Sequence, residues 1–115
     1  MTQKKVNGWQ VSEQSAVGRL VRFFPDASPV KIPVSVSVKG GENRESEETV
    51  IEFGTPREAL FACRLPLEFA DKVCLHNADR SFEAEAWVVA LQYHNGQAAV
   101  AARFVQAPPR WVIKL

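Results

Sequence analysis

The sequence predicts an all-β fold, a small antiparallel six-stranded barrel preceded by a short N-terminal helical turn or arm. Three observations carry this expectation. From Val30 to Lys39, the apolar residues Val30, Ile32, Val34, Val36 and Val38 alternate with Lys31, Pro33, Ser35, Ser37 and Lys39. That is the period-two signature of a strand with one buried face. Six short extended runs recur at near-regular spacing with turn residues between them, the pattern of a closed or nearly closed β fold. Asn95-Gly96 then separates two such runs, and both residues tolerate the positive φ of a tight hairpin turn. The small residues Ala84, Ala86, Ala90, Ala98, Ala99, Ala101 and Ala102 suit strands that approach closely around a tight interior.

A chain of 115 residues, 46% hydrophobic and 23% charged, has apolar material for a single core and no room for two domains. Residues 1–24 read as an arm, and residues 25–115 as the barrel. A net charge of +1 argues against a broad basic surface for duplex nucleic acid. No apolar run approaches the roughly 20 residues that span a bilayer, and residues 1–15 lack the apolar segment of a secretory signal, so a cytoplasmic location is expected. Cys63 and Cys74 form no metal-ligand or disulfide pattern and read as reduced core thiols.

Taken in order, residues 1–15 are polar, with Lys4, Lys5 and an isolated Trp9. Val17, Leu20, Val21 and Phe24 fall at helical spacing, which predicts a short helical turn laid on the barrel with Arg19 and Arg22 on its exposed side. Pro25 to Pro29 ends that turn and leads into the first strand, where Pro33 marks an edge or a bulge. Gly40-Gly41 reverses the chain, and Glu42 to Glu48 reads as a solvated loop. Thr49 to Phe53, Glu58 to Leu65 and Lys72 to Asn77 give three more strands, broken at Gly54-Thr55-Pro56 and at Pro66. The longest run is Phe82 to Tyr93, with Phe82, Ala84, Ala86, Val88 and Ala90 on one face and Trp87, Val89, Leu91 and Tyr93 on the other. Its second half is apolar on both faces and must be buried twice or meet a partner. Ala98 to Val105 returns from the hairpin, and Trp111 in the tail is placed to cover an open barrel end.

From Val30 onward the sequence resembles a PilZ-type domain. The resemblance rests on LPLEFADKVCLHN at Leu65 to Asn77, similar to that family's turn into a strand, and on FEAEAWVVALQYHNGQAAVAARF at Phe82 to Phe104, similar to its closing hairpin. It implies a bacterial cytosolic module that senses cyclic di-GMP. In such domains an arginine pair before the first strand and an Asp/Asn-x-Ser-x-x-Gly turn after the second hold the ligand, because guanidinium forks match phosphate and the guanine edge. Carried onto this chain, the resemblance gives Arg19, Arg22, Thr55, Arg57 and Arg64 as candidate ligand residues. The chain departs from the pattern in four places. Arg19 and Arg22 are spaced RxxR instead of RxxxR, Phe23 to Pro29 separates them from the first strand by more than is customary, Phe53 stands for the acid or amide, and Glu58 stands for the glycine. A glutamate there adds repulsion and a Cβ unless Arg57 or Arg64 neutralises it.

No nucleophile turn or acid–base constellation is visible, so no enzyme activity is expected, and no cofactor or metal is implied. The favoured reading is a PilZ-like signalling or adaptor domain acting through contacts with another protein or a second copy, with Trp9, Trp87, Leu91 and Tyr93 as contact candidates and a degenerate cyclic di-GMP site. The alternative is a working cyclic di-GMP receptor using Arg19 and Arg22. A remote third reading, a small barrel binding single-stranded nucleic acid, draws on the arginine–aromatic neighbours Arg22-Phe23, Arg103-Phe104 and Arg110-Trp111.

Overall fold

The computed structural model describes residues 16–38 and 45–106, together with Pro108 and Trp111. Trp9, Lys4, Lys5, the Gly40-Gly41 reversal and Arg110 lie outside the described residues. The chain begins with a one-turn helix α1 (Ala16–Leu20), continued as a 3-10 turn over Val21–Phe23. Six strands follow: β1 (Ser28–Val38), β2 (Ser46–Gly54), β3 (Glu58–Cys63), β4 (Lys72–His76), β5 (Glu83–His94) and β6 (Gln97–Phe104). They close into an antiparallel barrel in the order β1-β2-β3-β6-β5-β4.

The alternation of β1 behaves as its pattern dictates. Val34 and Val36 are buried, and Val30, Ile32 and Val38 pack against the same interior. β2 pairs along nearly all of β1, from Ser28 opposite Gly54 to Ser37 opposite Ser46, whereas β4 pairs only with Ser35 to Val38. The first half of β1 is therefore an edge on its β4 side, which is where a proline is tolerated, and a register shift lies between Pro29 and Ile32. Both readings of Pro33, edge and bulge, have a counterpart in this stretch. The charged segment before Thr49 is in part a correction: Ser46, Glu47 and Glu48 belong to β2, since an antiparallel pair with one wet side accepts polar residues as readily as a loop does.

Two apolar clusters exist, one on each side of the wall. The interior holds Ile51, Phe61, Leu67, Val73, Leu75, Val88 and Val100, all fully buried. Outside, Val17 and Leu20 of α1 cover Leu60, Ala99 and Ala101, with Val89, Ala90, Phe24 and Phe53 packed around them. This explains why β6 is buried on both faces, and it reassigns Ala90, Ala99 and Ala101, which make room for a helix outside the barrel instead of relieving its interior.

The face assignment of β5 also needs correction. A register shift between Val88 and Ala90 inserts a residue into the ladder, so the phase reverses there. Ala90 joins Val89 on the outer wall, and Leu91 turns inward to the main core. The β5–β6 turn is as expected, with Asn95 and Gly96 at φ 54 and 77. Cys63 is a buried free thiol, but Cys74 is only half-buried and lies outside both clusters. At the barrel end formed by the β2–β3 turn, Trp111 packs tilted against Phe82 and edge-to-face against Phe104 at centroid distances of 5.6 and 5.0 Å, covering the opening.

Candidate functional site

The β2–β3 turn is the part of the chain where a ligand motif and an unusual buried charge coincide. Gly54 ends β2 and Glu58 opens β3, and between them Thr55 organises the backbone. The Thr55 N–H donates to the Glu58 carbonyl at 2.9 Å, and its hydroxyl accepts the N–H groups of Arg57 and Glu58 at 2.9 and 2.8 Å. The same hydroxyl donates to Glu58 Oε1 at 2.5 Å. One donor and two lone pairs are all a threonine hydroxyl has, so its hydrogen-bonding capacity is used within the turn.

Glu58 is buried, at 7% exposure, and a buried carboxylate needs a partner. Arg103, opposite it on β6, supplies one: Nε and Nη2 both reach Glu58 Oε2, at 2.9 and 2.7 Å. The neutralising cation is therefore Arg103, not Arg57 or Arg64 as the sequence suggested. The reason is register: Glu58 and Arg103 are cross-strand neighbours, while Arg57 stands exposed in the turn and Arg64 lies beyond the far end of β3. Two further bonds seal the turn, from Phe104 N–H to the Arg57 carbonyl at 2.8 Å and from Trp111 Nε1 to the Thr55 carbonyl at 2.9 Å.

Of the five candidate ligand residues, Thr55 and Arg57 share this turn. Arg22 precedes Phe24, which packs on the same outer cluster as Phe53, and the chain then reaches Ser28, opposite Gly54. Arg22 is exposed. Arg19 is engaged elsewhere. Its guanidinium lies 3.4 Å from Nδ1 of His94, at the end of β5 that carries the hairpin. Arg64 sits at that opposite end as well, its backbone N–H held by Glu47 Oε1 at 2.7 Å. Arg19 and Arg64 are thus not assembled with Thr55.

The contact candidates separate in the same way. Trp87 stands on the outer wall, 42% exposed, with Lys72 Nζ 4.5 Å from its ring centroid. Leu91, read as exposed, is half-buried against the main core because of the bulge. Tyr93 keeps an exposed ring, yet its hydroxyl donates to the Leu67 carbonyl at 2.8 Å and so ties β5 to the loop before β4. Trp9 lies outside the described residues. A cleft of about 220 Å³ lies elsewhere, lined by Ser35, Glu48, Thr49, His76 and Asn77 where β1 loses its β4 neighbour, and none of the candidate residues reaches it.

Glu58 was legible as an anomaly, but its partner was not. The signal that finds it is a lone charge of opposite sign in each of two otherwise apolar strands, Glu58 before Ala59-Leu60-Phe61 and Arg103 after Val100-Ala101-Ala102. Among the described residues no group of three or more His, Cys, Asp or Glu side chains could hold a metal ion, and no helix is long and apolar enough to cross a membrane. No protein-family model matches the chain, and comparison with curated proteins gives no match.

Proposed function

We propose that the chain is a PilZ-like bacterial signalling or adaptor domain of the cytoplasm that works through protein contacts, its cyclic di-GMP site degenerate. The observation that carries this reading is the closed state of the β2–β3 turn. Where the resemblance expects a serine hydroxyl and a glycine facing a ligand, Thr55 turns its hydroxyl to Glu58, and the Glu58 carboxylate is matched by Arg103. A dianionic ligand would have to break that pair or lie against a carboxylate. The contact of Arg19 with His94, at the hairpin end of β5, supports the same reading, because a bidentate clamp needs both forks on one ligand.

A thermal-shift series with cyclic di-GMP tests it. A ligand at 100 times its dissociation constant adds about 2.7 kcal/mol to folding stability, which in a domain of this size raises Tm by roughly 10 °C. The expected result is no shift. A saturable rise that disappears in Arg19→Ala or Arg22→Ala would establish the receptor reading instead.

A further inference from the structure

We propose that the uncovered outer wall of β4, β5 and β6 is a self-association surface, anchored by Trp87, whose partner is a second copy of this chain. Among the described residues, α1 covers β5 and β6 at Val89, Ala90, Ala99 and Ala101 and leaves the rest of their outer wall open. Beyond it Trp87 and Val105 remain 42% and 48% exposed, and they are neighbours through Glu85, whose carbonyl accepts the Val105 N–H at 2.9 Å.

The register arranges charge around this apolar centre in a self-complementary way. Lys72, Trp87 and Arg103 form one row across the three strands, so two cations flank the indole. Glu85 and Glu83 follow on the same face of β5, two and four residues further along, so the acids stand up to about 13 Å from the row. A two-fold axis lying in the plane of the interface, at right angles to β5 at Glu85, exchanges these ends. It lays Glu83 of each copy over the Lys72–Trp87–Arg103 row of the other, and satisfies both signs twice with one patch, as an isologous interface requires. A net charge of +1 leaves little long-range repulsion between copies. Of the existing pairs, Lys72–Glu85 at 3.9 Å is half-buried, while Arg80–Glu83 at 3.1 Å is solvent-exposed and readily exchanged. Arg103 spends two of its five N–H donors on Glu58 and keeps the rest for a partner.

Sedimentation equilibrium on the full chain over a concentration series decides the matter. A monomer–dimer equilibrium is expected, with the dimer dissociation constant raised at least about tenfold by Trp87→Ala, the magnitude of an anchoring aromatic. Glu83→Lys should weaken the dimer, and Glu83→Lys combined with Lys72→Glu should restore it. Phe23→Ala, which removes the exposed aromatic next to α1, should leave it unchanged. A strict monomer across the series, or a Trp87→Ala protein that dimerises like the parent, overturns the proposal. Neither result bears on the cyclic di-GMP titration, so the two readings fail separately.

Discussion

A carboxylate taken out of water at the start of an apolar strand is costly unless its lone pairs are met, and at Glu58 they are met from both sides. The two halves of this arrangement are not equivalent. Arg103 carries the compensating charge, and its side chain is half-exposed, so its pairing is partly screened. Arg103→Ala should cost about 2 kcal/mol in urea denaturation, because it strands the charge, while Glu58→Gln keeps the Thr55 hydrogen bond and should cost about half as much. Cys63 sets a different limit. Burial pushes its thiol from 9.0 up to about 11, with the Leu65 backbone hydrogen bond working against the shift and the Glu47 charge adding to it. The folded chain therefore keeps a proton that the unfolded chain has already released. The stability tied to that proton is complete below about pH 9 and is lost as the pH climbs towards 11, by roughly 2–3 kcal/mol. Denaturation of Cys63→Ala across that window should show a flatter alkaline fall than the parent.

At the scale of elements, α1 shows how little of a short helix is intrinsic. A helix of five residues does not persist alone in water, and it exists here because Val17 and Leu20 dock on Leu60, Ala99 and Ala101. Leu20→Ala should cost about 2 kcal/mol and speed amide exchange in α1 ahead of the barrel strands. The helical spacing of Val17, Leu20 and Val21 was legible in the sequence, as was the doubled burial demand of the later strands. That these two facts solve each other was not, because nothing local says which wall a helix will cover. The bulge in β5 was hidden for a related reason. No glycine or proline marks Val89, so strict alternation placed Ala90 with Val88 and Leu91 with Trp87 until the pairing with β6 set the phase.

For the molecule as a whole, the number of strands, their order in the chain and the closed barrel followed from alternation and turn chemistry. The contacts that define the candidate site did not. Glu58 meets Arg103 across 45 positions and Trp111 meets Thr55 across 56, and such meetings depend on strand order around the ring, which alternation does not encode. That order has a mechanical side. The ring consists of two three-stranded meanders, β1-β2-β3 and β4-β5-β6, joined along β3–β6 by six residue pairs and along β1–β4 by four. The shorter seam is the natural place for the cylinder to unzip. Parting Ser35–Val38 from Val73–His76 leaves every other ladder intact and converts the barrel into a curled open sheet. The edges thus freed, β1 and β4, are the sites at which a transiently opened molecule meets another chain.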